Sequence, residues 1–191
     1  PHHRSSAASD VYKRQQLNVA INPDFGQVES DELVVNFSSS ETFYSDKRPF
    51  FSENHSLFDV KGMSFFYIVN TRRIGGAPDY NCSKYTSSIE ENCKKSEVGI
   101  NDIDYAIRYT LQNESFDFGF LGASEADENF SKGRDFYSFR VRKNFKDLTL
   151  GYLGTKTDRP ILDRKADVHS LDFTYLPNDK TRIDTIYAFS D

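Results

Sequence analysis

Charged side chains early in the chain fall into two groups of opposite sign. Asp24, Glu29, Asp31 and Glu32 lie in and just after the turn-rich stretch NPDFGQVESD, which runs from Asn22 to Asp31; Lys47, Arg48, Arg72 and Arg73 form a basic group further on. Clustered carboxylates can hold a hard cation or rim a sugar site. A carboxylate pair can also supply the acid and base of a glycosidase. Calcium loops place oxygen ligands at regular intervals, and this spacing matches no such loop. The pattern fits ion pairing better: Glu29 and Asp31 against Arg72 and Arg73, with Lys47 and Arg48 between them in sequence. Bidentate arginine–carboxylate pairs of this kind would hold a long irregular segment in place.

Other chemistry has little to work with. Two cysteines cannot form a four-thiolate zinc site. His2 and His3 sit at the extreme N-terminus, leaving His55 and His169, and H-E-x-x-H, G-x-S-x-G and C-x-x-C are all missing from the sequence. The sequence therefore nominates no catalytic residue, metal ligand or cofactor site. Cys82 and Cys93 flank the polar run Ser83 to Asn92. A metal or redox role would want closer spacing or a histidine partner, so the pair reads as a disulfide closing a surface loop in an oxidising exterior.

The elements that would position these groups are strands. Ile103, Tyr105, Ile107, Tyr109 and Leu111 alternate with Asp104, Ala106, Arg108, Thr110 and Gln112, and side chains of a strand point to opposite faces in turn. The same period continues through Phe116–Phe120, Tyr137–Val141, Leu148–Tyr152, Leu171–Tyr175 and Ile183–Phe189, which predicts six strands. Leu17, Val19 and Ile21 suggest one more near the start, and Phe65–Ile68 reads as a strand leading into Arg72. Short connections at Asn113–Ser115, Lys143–Asp147 and Pro177–Lys180 alternate with long polar ones at Glu125–Asp135 and Lys156–Asp167. That rhythm predicts an up-and-down antiparallel meander of the outer-membrane barrel type. The second face carries Arg108, Arg140, Arg142, Asp172, Arg182 and Asp184, which a wet lumen would accommodate at little cost. A soluble antiparallel sheet would show the same alternation.

Composition agrees with an ordered β protein. The chain has 191 residues, with 17 Phe and 11 Tyr but no Trp, too aromatic for a disordered segment. Mean hydropathy is -0.65, and no run approaches the ~20 apolar residues of a membrane helix. Barrel strands alternate and average out as polar, so low hydropathy leaves that architecture open. A net charge of -5 argues against sequence-independent nucleic-acid binding.

The order NPDFGQVE, ETFY (Glu41–Tyr44), KRPFF-x-EN (Lys47–Asn54) and RRIG (Arg72–Gly75) resembles the bacterial DUF5916 family. Two segments depart from the family pattern: Ser45-Asp46 precedes Lys47-Arg48, and Asn70-Thr71 precedes Arg72-Arg73. The resemblance, over residues 16–191, implies a periplasmic family 9 carbohydrate-binding-like domain followed by a large outer-membrane β-barrel, of which this chain would be the N-terminal part of the barrel. The opening string, residues 1–15, resembles a translated sequencing adapter and is set aside as a non-native scar or disordered tail.

The expected organisation is then a motif-rich start with an inward-folded segment (16–76), a surface loop carrying the two cysteines (77–101), and a six-strand meander (102–191) cut at its C-terminus. Strand parity places the cysteine loop on the extracellular side. The expected partner is outer-membrane lipid, with oligosaccharide entering only through the missing domain, and no nucleic acid. The expected function is that of a barrel segment serving a pore, transport or surface glycan handling. The alternatives are a cell-surface polysaccharide-acting enzyme and a soluble periplasmic β-barrel binding module.

Overall fold

A computed structural model describes residues 13–23, 46–60, 67–96 and 100–191. Seven strands form one antiparallel sheet in strict sequence order: β1 (Lys13–Ile21), β2 (Ile103–Asn113), β3 (Phe116–Glu125), β4 (Asp135–Asn144), β5 (Leu148–Arg159), β6 (Arg164–Asn178) and β7 (Thr181–Ser190). Among the described residues of the long connection between β1 and β2 lie two short helices, α1 (Pro49–Ser52) and α2 (Ser87–Lys95). No helix among the described residues is long and apolar enough to cross a membrane, which says nothing about strands. The protein is an all-β up-and-down meander.

Several elements differ from the sequence expectation, each for an identifiable reason. β1 begins at Lys13, inside the stretch set aside, because backbone pairing with Asn113 extends the ladder through polar residues that carry no periodicity. Tyr67–Asn70 has no strand, and Thr71–Arg73 is a single 3-10 turn. Phe65 and Phe66 lie outside the described residues. The polar run Lys156–Asp167 is mostly strand, not a long loop: β5 and β6 stay paired to Arg159 and Arg164, joined by a turn at Pro160–Leu162. Its outward charges pair across the hairpin, Lys156 with Asp167 at 4.0 Å and Lys165 with Asp158 at 3.2 Å. Cross-strand charge pairs support a sheet as apolar pairs do. The long–short rhythm is therefore weaker than the sequence suggests, and the connection between β3 and β4 remains long.

A register shift between Ile103 and Tyr105 turns Ile103 to the opposite face from Tyr105 and Ile107. Ile103 joins a core with Phe51, Leu57, Phe58, Val60 and Ile74 from the long connection and Ala106, Leu121, Ala123 and Leu153 from the strands. That core sits on the face of the sheet that carries the charged residues. The face bearing Leu17, Val19, Tyr105, Tyr137, Phe139, Leu150, Leu171, Tyr175, Ile183, Tyr187 and Phe189 is the exposed one. Across it runs a chain of ring contacts, Tyr109–Phe118–Phe139–Tyr152–His169–Phe189, with centroids 5.2–6.4 Å apart. Gly154 leaves room for Tyr152 to fold over it, and the Tyr152 hydroxyl lies 2.7 Å from His169 Nδ1.

Candidate functional site

The inner face is built around arginines that grip the β1–β2 connection by its backbone. Arg108 of β2 donates to the Phe50 carbonyl at 2.5 Å and to the Glu53 carbonyl, and its second nitrogen donates to Glu53 Oε2 at 2.7 Å. Those carbonyls belong to the short helix α1 and its C-cap residue Glu53, where the terminal oxygens lack internal partners and so accept from outside. Hydrogen bonds from Gln16 and then Arg108 hold the Glu53 carboxyl below its usual range.

Arg140 of β4 donates Nε to the Leu57 carbonyl at 3.2 Å and pairs with Asp172 of β6, with Nη2 at 2.9 Å from Oδ2 and Nη1 on Oδ1. The pair crosses over β5, which carries Gly151 at that point. A Cβ there would lie 2.5 Å from the Asp172 carboxylate and 2.6 Å from Arg140, so the absent side chain is what lets the ions meet. Gly119 does the same for packing: its Cβ would lie 2.9 Å from both Leu57 and Phe58. The connection thus rests directly on the wall of the sheet.

A second hub forms around Glu125, whose side chain is fully buried. It accepts from Arg134 Nε at 2.6 Å and Nη2 at 2.8 Å, from the Gly75 amide at 2.8 Å and from Asn101 Nδ2 at 3.3 Å. Arg134 also reaches the carbonyls of Arg73 and Gly76. Gly75 has φ 76°, a left-handed conformation that suits glycine and aims its N–H at Glu125. Beside this hub, Arg159 Nε donates to Asp79 at 2.8 Å. That hydrogen bond, stronger than the opposing effect of burial, holds the Asp79 carboxyl below its usual range.

Within the connection, Arg48 ties the two motif blocks together. It pairs with Asp46 through Nε at 2.9 Å and Nη2 at 2.7 Å, and donates to the carbonyls of Ile74 at 2.6 Å and Thr71 at 2.7 Å. Thr71 Oγ1 completes the Asp46 carboxylate at 2.8 Å. Burial alone would raise the pKa of Asp46; the Arg48 and Thr71 hydrogen bonds overrule it and leave the carboxyl below its usual range.

Asp24, Glu29 and Asp31, half of the expected pairing, lie outside the described residues. Lys47 is exposed, Arg72 is half-buried and Arg73 is exposed. The RRIG block and the Thr71 before it offer backbone groups to their neighbours: the Thr71, Arg73 and Ile74 carbonyls and the Gly75 amide. Sequence reasoning did not nominate Asp46, Arg108, Glu125, Arg134 or Arg140 as site residues. The available signal was arginine at inward strand positions. Arg108 and Arg140 are 2% and 1% exposed, so they do not face water as expected; the connection covers them.

Cys82 and Cys93 are joined by a disulfide with Cα atoms 5.6 Å apart. Cys93 lies on α2, which the polar composition of that loop had concealed. Glu90–Lys94 and Glu91–Lys95 pairs, each at 2.6 Å, give that helix its own support.

Residues 14–104 match the family model described as a domain of unknown function, DUF5916. This segment is a DUF5916 domain. It takes in β1, both charged motif blocks, the disulfide and the first two residues of β2. The resemblance drawn from the sequence extended to residue 191, whereas the match ends at 104, ahead of β3–β7. No curated protein and no solved structure matches the chain. The DUF5916 segment is thus the part whose backbone is gripped, and apart from Arg48 the gripping arginines lie beyond residue 104: Arg108 in β2, Arg134 just before β4 and Arg140 in β4.

Proposed function

We propose that this chain forms wall and filling of an outer-membrane β-barrel: β1–β7 are wall strands with their aromatic face against lipid, and the gripped DUF5916 connection is folded against the inward face. The work of such a barrel is that of a pore, transport or surface glycan handling. One observation carries the reading. Among the described residues nothing covers the apolar face, with Leu171 54% and Tyr187 64% exposed, while the charged face is covered over β2–β4, where Arg108 and Arg140 are 2% and 1% exposed. Soluble sheets with one face covered bury the apolar one. Contiguous exposed apolar surface of this extent marks a lipid or protein contact. Strands of 9–15 residues also reach the 9–11 required for a tilted crossing. The polysaccharide-acting enzyme gains nothing from the described residues, since Asp24, Glu29 and Asp31 lie outside them.

The chain has no tryptophan, so single introduced indoles report cleanly. The protein is reconstituted in vesicles whose acyl chains carry bromine. Leu171→Trp on the outer face is expected to be quenched, and Thr155→Trp on the inner face is not. A protein that stays in solution without detergent, or quenching that is equal at both sites, sinks the reading and favours the soluble module.

A further inference from the structure

Between Tyr67–Ile74 and the inner face of β4–β6 lies a cavity of about 500 Å³. Among the described residues its charged lining is of one sign: Arg73, Arg134, Arg159 and Arg164, with no Asp or Glu. Arg134 and Arg159 are already committed to Glu125 and Asp79. Arg164 makes no hydrogen bond or ion pair among the described residues. It also sits directly opposite Arg159 in the β5–β6 register, on the same inward face. Like charges placed directly opposite destabilise a sheet. A bound anion would turn that repulsion into two attractions.

A second, independent feature points into the same space. Ser138 is 4% exposed, lines the cavity, and its Oγ has no hydrogen-bond partner among the described residues. Buried hydroxyls are normally satisfied, so an orphan at a cavity wall signals a missing partner. Thr155 and Thr157 add two hydroxyls, and Leu121, Phe136 and Val168 add an apolar wall. Concave sites of 300–1,000 Å³ with a few convergent polar groups on an apolar lining are typical of small-molecule binding.

We propose that this cavity binds a small organic oxyanion, a carboxylate or phosphate ester. Arg164 takes the charge, since a planar guanidinium matches either oxyanion bidentately. Ser138, Thr155 and Thr157 take neutral oxygens of the same solute. The site does not depend on the lipid-facing assignment: failure to bind an anion leaves the indole quenching result untouched, and the reverse holds too.

The test is calorimetric titration of the detergent-solubilised protein with citrate, glucose 6-phosphate and, as the neutral control, glucose. At least one anion should bind at least tenfold more tightly than glucose, with preference between the two telling carboxylate from phosphate. Arg164→Ala should weaken anion binding about tenfold, as expected for one lost charge-assisted contact, and Arg164→Lys should recover part of it. Ser138→Ala should weaken binding a few-fold without altering salt dependence. Arg164 is exposed and unpartnered, so its replacement leaves the fold intact. No anion binding at millimolar concentration, no preference over glucose, or unchanged affinity in Arg164→Ala would each overturn the proposal.

Discussion

The two faces of the sheet share one backbone and obey opposite rules. On the outer face, large apolar side chains alternate along every strand with nothing described covering them. On the inner face, Arg108, Thr110, Asp117, Glu125, Ser138, Arg140 and Ser170 are buried under or beside the DUF5916 connection. Burying charge is unfavourable unless each ion is paired and its remaining donors are used. Arg140 meets that condition with a carboxylate and a backbone carbonyl; Arg108 has a carboxylate and two carbonyls, and its Nε is left without a partner among the described residues. Alternation alone says that a strand has two unlike faces. Which face is covered depends on where a distant segment folds, and here it folds onto the polar one.

The strongest way to break the comparison is to strand a charge on the inner face. Arg140→Ala removes the partner of Asp172, whose side chain is 10% exposed, and frees the Leu57 carbonyl. Losing one member of a buried pair costs about 3–5 kcal/mol. Urea unfolding should show that loss, and the Arg140→Ala/Asp172→Ala double variant should lose less than the sum of the two singles. Additive losses would mean that the pair does not interact.

Next in size is charge on the outer face. Leu171→Arg should cost roughly 2–4 kcal/mol of folding stability in lipid vesicles, and Thr155→Arg on the half-open inner wall less than about 1 kcal/mol. Thr110 looks like an equivalent inward control in the sequence, but it is 2% exposed, so an arginine there would be overpacked and uninformative. Similar losses at Leu171 and Thr155 would contradict the facial assignment.

Glycines sharpen the contrast at a smaller scale. Gly151→Ala drives a methyl between Arg140 and Asp172 and should cost about 1–3 kcal/mol, as overpacking does. Gly154→Ala meets the Tyr152 hydroxyl at 2.9 Å, the far end of a side chain that can swing away. Its loss should stay near the ~1 kcal/mol of one hydrogen bond. Equal thermal shifts for the two alanines would remove the distinction.

Acid should act last, on the carboxyls held below their usual range: Asp46 in the clamp, and with it Glu53 and Asp79. Asp46 has a lowered folded pKa, so its contribution is fully present above the unfolded value near 3.8 and is lost as pH falls through the folded value. Hydrogen exchange of residues 46–60 should therefore stay flat from pH 8 to 5 and loosen below about pH 4. In Asp46→Asn the residual acid dependence should shrink. Loosening that begins near pH 6 would assign the clamp to another group.

The meander was legible because period two survives in every strand from Ile103 onward, and because turn residues such as Asn113 punctuate it. Lys13–Gln15 and Lys156–Asp167 were not legible as strand. A ladder needs only N–H and C=O groups, and charged residues can extend it when they pair across it. The bulge that turns Ile103 inward was hidden for a related reason: a single extra residue changes face without changing composition. For the site, the sequence showed charges but not their partners. Arg48 pairs with Asp46, two residues away, and then reaches the carbonyls of Thr71 and Ile74; carbonyl acceptors have no side-chain signature. Glu125 and Arg134 sit at the two ends of one loop and meet only because β3 and β4 turn back on each other.

The placement of β1 bears on the order in which the protein assembles. β1 pairs along its whole length with β2, yet residues 22–102 separate them, whereas β2–β7 are linked by local hairpins. Closing so long a loop costs on the order of 3 kcal/mol more entropy than a two-residue turn, and non-local pairings form slowly. The hairpins should therefore zip in sequence, and pulse-labelled amides of Leu17–Ile21 should become protected after those of β3–β5. The strand that comes first in the chain would then dock last, and the DUF5916 connection would be sealed in place by the same late step.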